Sequence, residues 1–279
     1  MKRLLLLAFL GILFNASAAD LEPVKNAGPY VPSPQSVVSD MLRYADVRAG
    51  DFLIDLGSGD GRIVLTAAKV FGARGFGVEI KEDLVKRANE AARQEGVGDR
   101  VKFLKQDLFK TDISQATVVT MYLLPDTVNL LKDKFLSELR PGTRIVSHDY
   151  PLTGWIPEKY VQMDLEDKVQ ISGVTTTLIY LYVVPAKVEG RWKAQMPPAV
   201  SKLPATLVLR QQLTRVSGSA MIEGRDVPLE EVRLRGEQIS FRLAGRKGEF
   251  TGQVRGPQIE GQFDHGNGNK SAWSALLGG

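Results

Sequence analysis

The sequence predicts a doubly wound, Rossmann-like α/β fold followed by a small all-β domain, either a barrel or a sandwich. Segments of strand and helix character alternate from about residue 35 to residue 150, which is typical of a parallel sheet with helices on both faces. From Val188 onward the helical period disappears, and short alternating segments are interrupted by glycine every few residues. The 279 residues also exceed the ~100–200 that one core usually serves. We therefore expect a first domain over residues 20–186 and a β-rich domain over residues 187–279.

Each element of the first domain follows from a local pattern of apolar residues and chain breakers. These patterns predict, in order, a helix at 34–44, a strand at 52–56, a helix after a glycine turn at 57–61, a strand at 75–80, a helix ending at Gly96, strands at 101–109 and 117–125, a helix at 126–142 and a strand at 143–150. The stretch "KVQISGVTTTLIYLYVVP", residues 168–185, favours two strands without a helix between them, which would form an antiparallel hairpin at one edge of the sheet.

The β-rich domain has five stretches of strand character. They are "ATLVLRQQ", "RVSGSAMIE", "EVRLRGEQISFRLA", "GEFTGQVRGPQIEGQFD" and "SAWSALL". This domain contains 14 Lys and Arg against 9 Asp and Glu, whereas residues 20–186 contain 20 against 23. The slightly acidic first domain is a poor electrostatic match for nucleic acid, and no nucleic-acid partner is expected. The basic β domain is a candidate for contact with an envelope or membrane surface.

The N-terminus has the pattern of a secretory signal. Lys2 and Arg3 precede an apolar run from Leu4 to Phe14, and small residues follow in "NASAAD". At ~1.5 Å per residue the run is too short to cross a ~30 Å hydrocarbon core. We expect a signal peptide at residues 1–19 and an exported, periplasmic protein, with an uncleaved anchor as the alternative.

The chain has no cysteine and only two histidines, so a disulfide, a thiolate metal site and a cysteine nucleophile are excluded. No metal site is predicted. The two histidines are His148 and His265. We expect His148 and its neighbour Asp149, at the end of the fifth strand, to form a structural hydrogen-bonded pair.

The stretch "LIDLGSGDGRIVLTAAK", residues 53–69, joins a strand to a helix through a glycine turn. Glycine lets the backbone approach a ligand closely, and the helix start offers unpaired N–H groups. The candidate binding residues here are Asp55, Gly57, Ser58, Gly59 and Gly61. An acid before the first glycine would repel a diphosphate but suits a ligand with an ammonium group. This favours S-adenosylmethionine (SAM) over a dinucleotide.

Two further acids follow the next two strands. Glu79 lies 24 residues after Asp55, where a carboxylate can accept both hydroxyls of a ribose, and Asp107 in "QDLF" lies where an acid can meet an adenine amino group, with Leu108 beside it. Ligands bind at the carboxyl edge of open α/β sheets, where all three acids are expected to meet. We predict a SAM site there.

Residues 30–160 resemble the class I, seven-strand SAM-dependent methyltransferases and, more narrowly, the archaeal and mitochondrial-type protein-lysine methyltransferases. The resemblance is carried by "PYVPSPQSVVSDML", "DLGSGDGRIVLTAAK", "GVEI", "QDLF", "ATVVTMYLLP" and "LRPGTRIVSHDY". It implies methyl transfer to lysine side chains of a protein substrate. The signal-like N-terminus and the β-rich domain depart from the compact archaeal form.

Two tyrosines are the candidate catalytic residues. Tyr122, at the end of the fourth strand, could line a lysine channel through its ring and hydroxyl, although a plain packing role is equally compatible with the sequence. Tyr30 belongs to a proline-stiffened segment that could cover the site. Two other functions stay open: a small-molecule methyltransferase, and a non-catalytic envelope-binding module that uses the β domain.

Overall fold

A computed structural model describes residues 29–278, so the predicted signal peptide at residues 1–19 lies outside the described residues. The helices are α1 (Gln35–Tyr44), α2 (Arg62–Phe71), α3 (Glu82–Gln94), α4 (Pro125–Leu130), α5 (Lys132–Glu138) and α6 (Glu166–Ser172). The strands of the first half are β1 (Phe52–Leu56), β2 (Arg74–Glu79), β3 (Val101–Lys105), β4 (Val118–Met121), β5 (Arg144–His148), β6 (Lys159–Asp164) and β7 (Thr176–Val183). The strands of the second half are β8 (Gly190–Gln195), β9 (Ala205–Gln212), β10 (Arg215–Ile222), β11 (Arg225–Arg235), β12 (Gln238–Leu243), β13 (Glu249–Arg255), β14 (Gln258–Asp264) and β15 (Lys270–Leu277). Between residues 29 and 278, none of these helices has the length and apolar character needed to cross a bilayer.

The first seven strands form one sheet with the order β3-β2-β1-β4-β5-β7-β6. Strands β1 to β5 are parallel, and β7 pairs antiparallel with both β5 and β6. The order reverses at β1, with β2 on one side and β4 on the other. In an open α/β sheet the carboxyl ends of the strands beside such a reversal border the ligand crevice.

Alternation along the strands divides the sheet into two buried faces. Leu53 of β1 packs with α1, α2 and α3, whereas its neighbour Ile54 packs with Val128 of α4 and Phe135 of α5 on the opposite side. Because successive side chains of a strand point to opposite faces, the apolar run of β1 serves both cores. The predicted doubly wound architecture is confirmed.

The last eight strands form a closed antiparallel barrel in the order β10-β11-β12-β13-β14-β15-β8-β9. Its interior is filled by large aromatic side chains, namely Trp192, Phe241, Phe250, Phe263 and Trp273. Phe241 and Phe250 stack at 4.9 Å, and Trp273 meets both rings edge-on. Of the two predicted all-β architectures, the barrel is the one that forms. The predicted domain boundary at residues 186 and 187 lies in the segment between β7 and β8.

Two of the predicted elements were wrong. The helix expected at 126–142 is divided at Leu131 into α4 and α5. Residues 168–172, expected to be a strand, belong to α6, and the edge strand of the hairpin is β6. Because β6 lies at the sheet edge and is largely exposed, its apolar alternation is weak. Strand β8 and the first half of β11 were not predicted.

The barrel meets the sheet through a backbone contact at the edge opposite the carboxyl ends of the parallel strands. Gly236, in the turn between β11 and β12, accepts a hydrogen bond from the Ala186 N–H at 2.8 Å. A Cβ atom at Gly236 would lie 3.0 Å from the Cα of Gly142, just before β5. Nearby, Arg235 forms a 2.6 Å ion pair with Glu158.

Candidate active site

A cavity of about 130 Å³ lies at the carboxyl ends of β1, β2, β3 and β4. The glycine loop after β1 forms its floor, and the segments after β2 and β3 form one wall. Residues 29–33, which precede α1, lie over it. The cavity is therefore at the strand-order reversal, where the sequence predicted a ligand site.

The glycine loop is held against β2 by its backbone. The N–H groups of Gly57 and Ser58 both donate to the Val78 carbonyl oxygen, at 3.0 and 2.9 Å. Gly57 has φ 79°, and a Cβ there would lie 2.6 Å from the Leu123 side chain. Glycine is required because only it adopts this backbone at no steric cost. The hydroxyl of Ser58 is buried and has no hydrogen-bond partner among the described residues.

Asp55 is almost completely buried at the base of the cavity. Its carboxylate accepts a hydrogen bond from the Thr120 hydroxyl at 2.7 Å. Burial raises the pKa of Asp55 to about 7, against the lowering effect of Thr120, and the charges of Asp60 and Glu79 raise it further. A cationic ligand group would stabilise the charged form of this carboxylate.

Glu79 closes the end of β2 and faces the glycine loop. One carboxylate oxygen accepts from the Gly59 N–H at 3.1 Å, and the other accepts from the N–H groups of Ile80 and Lys81 at 2.8 and 3.0 Å. A carboxylate has about four acceptor sites. Capacity for a ligand hydroxyl remains after the three backbone contacts.

The wall beyond Glu79 combines one acid with apolar surface. Asp107 caps its own turn by accepting from the Phe109 N–H at 2.9 Å. Leu108, Phe109 and the exposed Ile80 line the same part of the cavity. Flat apolar ligand surface can pack here while a polar edge meets Asp107.

Residues 29–34, which we call the strap, are held over the glycine loop by an ion pair. Arg62 contacts Asp60 through two nitrogens, at 2.6 and 2.9 Å, and donates to the Ser33 carbonyl oxygen at 2.8 Å. Burial opposes the charged form of Asp60, but Arg62 outweighs it and lowers the pKa of this acid. The Tyr30 ring covers Gly59, where a Cβ would lie 2.5 Å from it. Burial and then the charge and hydrogen bonding of Asp60 raise the pKa of Tyr30.

Tyr122, directly after β4, lines the cavity on the side of β5. Its ring lies 3.9 Å from the ring of His148, which is fully buried. The Nδ1 atom of His148 shares a 2.8 Å hydrogen bond with the Ser33 hydroxyl, so it ties the strap to the sheet. Burial lowers the pKa of His148 to about 4, against the effect of nearby Asp149, so the imidazole is neutral at pH 7.

The expected hydrogen bond between His148 and Asp149 does not form. The His148 Nε2 atom lies 3.6 Å from the carboxylate, which is too long. Asp149 is instead bonded to Lys168, at 2.7 Å to each carboxylate oxygen.

The structure brings nearly all of the predicted site residues together. Those that line the cavity are Asp55, Gly57, Ser58, Gly59, Glu79, Asp107, Leu108, Tyr122 and Tyr30. Gly61 does not line it. This residue precedes α2, and a Cβ there would lie 2.5 Å from the Phe103 ring, so it serves the packing of α2 and α3 on the sheet.

The sequence did not predict the Asp60–Arg62 ion pair or the hydrogen bond of Ser33 with His148. Asp60 and Arg62 flank the last glycine of the turn, and opposite charges two residues apart in a binding loop were the available signal. The contact of Ser33 with His148 spans 115 positions and has no local signal.

The residues present fit SAM. The buried Asp55 suits its ammonium group, Glu79 has acceptor capacity for a ribose hydroxyl, and Asp107 lies beside apolar surface that suits an adenine. The unpartnered Ser58 hydroxyl and the glycine loop, where side chains would fill the space, complete a cradle for a polar ligand.

Comparisons with known proteins agree with this geometry. The sequence model described as the ANTKMT methyltransferase domain matches residues 55–159. A protein-lysine N-methyltransferase of Saccharolobus islandicus is 42% identical over 157 residues, which are 56% of this chain and 93% of that protein. The adenine nucleotide translocase lysine N-methyltransferase of Mus musculus is 36% identical over 135 residues, which cover 48% of this chain but only 58% of the mouse protein.

Among solved structures, an RNA methyltransferase from Salinibacter ruber in complex with S-adenosyl-L-homocysteine is 46% identical to this chain. The match covers 57% of this chain and 96% of that one, with a TM-score of 0.51. The predicted family, fold and cofactor are thereby confirmed. Residues 55–159 carry the glycine loop, the three acids and Tyr122, whereas the strap precedes them. The chain belongs to the family of SAM-dependent methyltransferases that includes the Saccharolobus protein-lysine N-methyltransferase.

Proposed function

We propose that this protein transfers a methyl group from SAM to the ε-amino group of lysine side chains in a protein substrate. The observation that carries the proposal is the 42% identity to a protein-lysine N-methyltransferase over 93% of its length. The site supports it, because a cavity with three acids on the cofactor side has a tyrosine, Tyr122, on the side toward β5.

The chain's own residues orient and desolvate the reactants. When bound, SAM supplies an electrophilic methyl group on a sulfonium. Asp55, Glu79 and Asp107 would hold that molecule, and the strap would exclude water from it. Alignment of a nucleophile with a bound methyl group contributes up to ~7–11 kcal/mol. Desolvation beside a cation lowers the pKa of the incoming lysine, so a dedicated base is not required.

The stretch that follows β4 argues against a nucleobase or amide substrate. Class I enzymes with such substrates often carry Asn/Asp-Pro-Pro-Tyr at this point, whereas this chain reads Tyr122-Leu123-Leu124-Pro125. RNA is the second candidate substrate, because the similar Salinibacter protein is described as an RNA methyltransferase. The excess of acidic over basic residues in 20–186 disfavours it.

One experiment separates the candidates. The full chain is incubated with methyl-labelled SAM and a mixed cell extract, and aliquots are then treated with protease or ribonuclease. Protease-sensitive label that mass spectrometry maps to lysine supports the proposal. Ribonuclease-sensitive label supports RNA, and label only in small molecules supports a small-molecule methyltransferase. Glu79→Gln is the matched control, since it keeps the side-chain shape and removes the charge.

We further propose export of the protein through residues 1–19. Residues Lys2 to Ala19 carry the basic, apolar and small-residue pattern of a secretory signal. N-terminal sequencing of the protein from envelope fractions should start near Asp20, and a start at Met1 would contradict cleavage. Because SAM is made in the cytoplasm, the same fractions should be assayed for bound SAM.

We also propose that the barrel contacts an anionic envelope surface. The support is the excess of basic residues in 187–279. Arg235 and Arg242 are held in ion pairs with Glu158 and Glu231, so Arg233 and Lys247 carry the proposal. Co-sedimentation of the full chain with anionic vesicles, compared with neutral ones, tests it, and equal binding to both would contradict it. This surface is also where a non-catalytic binding function would reside.

A further inference from the structure

His148, the last residue of β5, lies between the strap and Tyr122 and does not line the cavity itself. Its side chain is fully buried. The Nδ1 atom is 2.8 Å from the Ser33 hydroxyl oxygen, and the ring centre is 3.9 Å from that of Tyr122, with 33° between the two ring planes. Because Ser33 and Tyr122 both line the cavity, one buried imidazole contacts two separate parts of the cavity wall.

Packing alone does not explain a histidine at this position. The Nε2 atom of His148 is buried and has no hydrogen-bond partner among the described residues. A buried polar atom without a partner costs free energy, and an apolar side chain of similar size would avoid that cost. What the imidazole adds over an apolar ring is its hydrogen bond to the strap.

The surroundings of the imidazole decide which group donates in that hydrogen bond. The ring is neutral at pH 7 because burial lowers the pKa of His148 to about 4, and a neutral imidazole has one N–H. Its Nε2 atom lies 3.6 Å from a carboxylate oxygen of Asp149, which attracts an N–H and repels a lone pair. The proton is therefore on Nε2, and Nδ1 accepts from the Ser33 hydroxyl.

The strap also contacts the part of the cavity that fits SAM. Arg62 joins it to the glycine loop, because the guanidinium donates to the Ser33 carbonyl oxygen at 2.8 Å and is paired with Asp60. The Tyr30 ring lies over the same loop. A cofactor between the loop and the strap would add contacts that favour the seated strap. Through Ser33 that preference would extend to His148.

We propose that His148 is a positioning residue that couples the cofactor side of the cavity to the substrate side, since it holds the strap through Ser33 and the Tyr122 ring through its own ring. This inference rests on the proposed lysine methylation, in which Tyr122 lies on the substrate side. A bound cofactor holds the strap, the strap holds the imidazole, and the imidazole holds the Tyr122 ring beside the incoming lysine. Coupling of this kind is reciprocal, so a bound peptide also favours retention of the cofactor.

The test measures how S-adenosylhomocysteine changes the affinity of the full chain for a lysine peptide. The peptide surrounds a lysine that the wild-type chain labels, and its Kd is measured by calorimetry with and without S-adenosylhomocysteine. The ratio of the two Kd values is the coupling factor. In the wild type S-adenosylhomocysteine should tighten peptide binding about fivefold or more. The peptide should tighten binding of S-adenosylhomocysteine by the same factor.

Three variants separate the two contacts of His148. Ser33→Ala and His148→Phe both remove the hydrogen bond, and phenylalanine keeps a ring beside Tyr122. Each should lower the coupling factor to within about twofold of unity and should speed the dissociation of S-adenosylhomocysteine several-fold. The double variant should lose no more than the single ones, because both changes remove the same bond.

His148→Asn is the matched control, since it keeps an acceptor at the place of Nδ1 and removes the ring. Its affinity for S-adenosylhomocysteine without the peptide should stay within about twofold of the wild type. Because the Tyr122 ring loses its neighbour, the coupling factor should fall and kcat on the peptide should drop about tenfold.

An unchanged coupling factor in Ser33→Ala and His148→Phe would overturn the inference. Equal losses of affinity for S-adenosylhomocysteine in His148→Asn and His148→Phe would also overturn it, because a residue that only packs gives that result. If His148→Phe folds poorly, Ser33→Ala tests the same hydrogen bond with a smaller change. A wild-type chain that labels no lysine refutes the proposed function itself, whereas an active wild type without coupling refutes only the role of His148.

Discussion

Removing the charge of Asp55 should stabilise the SAM-free protein at alkaline pH while it weakens SAM binding. The carboxyl is almost completely buried, and its pKa of about 7 lies far above its usual 3.8. Between these two values the folded protein keeps a proton that the unfolded chain has released. Stability contributed by the neutral carboxyl is therefore lost as pH rises toward and through 7.

The size of the effect follows from the two pKa values. At about 1.4 kcal/mol per pH unit, the free energy of unfolding should fall by about 3 kcal/mol between pH 5 and pH 8 because of this one group. In Asp55→Asn the amide cannot ionise, and its oxygen can still accept the hydrogen bond from Thr120. The variant should lack that fall.

Urea denaturation of both proteins at pH 5 and pH 8 measures the effect. Other groups that titrate in this range, His148 among them, cancel in the difference between variant and wild type. That difference should grow by about 3 kcal/mol in favour of the variant from pH 5 to pH 8. In parallel, S-adenosylhomocysteine should raise the thermal midpoint of the wild type much more than that of the variant. A stability difference that is the same at both pH values would refute the reasoning.

Four further outcomes are expected. Glu79→Gln should weaken SAM binding about tenfold or more, since it loses a charge-assisted acceptor for a ligand hydroxyl, and unchanged affinity by isothermal calorimetry would count against the site. Arg62→Ala removes the ion pair with Asp60 and the hydrogen bond to the strap, so stopped-flow measurements should show S-adenosylhomocysteine dissociating several-fold faster; an unchanged rate would mean that the strap does not retain the ligand. The wild type should lose stability as pH falls from about 6.5 to about 4, because His148 takes up a proton in the unfolded chain but not in the folded protein. His148→Gln should remove this loss, and parallel pH profiles of the free energy of unfolding for the two proteins would contradict the expectation. Phe250→Ala should lower the unfolding free energy of the barrel by about 3–5 kcal/mol without altering the affinity for SAM, and a loss of affinity would mean that the barrel supports the site.

The parts of the fold that the sequence predicted are those with strong local signals. Strand β1 is a run of apolar residues, and the closely spaced glycines after it indicate a tight turn. Glu79 and Asp107 each follow a segment whose apolar residues predict a strand. The order of elements therefore places these residues at one edge of the sheet without any knowledge of contacts.

The errors occurred where packing overrides local pattern. "DTVNLLKDKFLSEL" reads as one continuous helix, yet the chain turns at Leu131, which is fully buried in the core shared by α4 and α5. "KVQIS" has the composition of a strand, but these residues form the end of α6. In that helix Lys168 makes an ion pair with Asp149, a tertiary contact that local composition does not indicate. Strand β8 closes the barrel between β15 and β9, and one of its two pairing partners, β15, is distant in the sequence.

The missed parts of the site are long-range contacts. Ser33 and His148 lie 115 positions apart, and Asp149 and Lys168 meet through an α6 that the sequence did not indicate. Single residues of these types are usually surface or packing residues, so only the folded geometry identifies their role.

The backbone contact at Gly236 has a consequence for tracing the history of this chain. With φ 58° and only 3.0 Å between a would-be Cβ and the Cα of Gly142, a larger residue at position 236 would strain the backbone and push the barrel away from the sheet. Because this contact between the barrel and the sheet lies at the edge opposite the cavity, the barrel could be gained or lost without changing a reacting group. Homologues with both domains should therefore keep glycine at position 236, and homologues without this contact should have other residues there. The residues found at this position in an alignment can then date the fusion of the two domains.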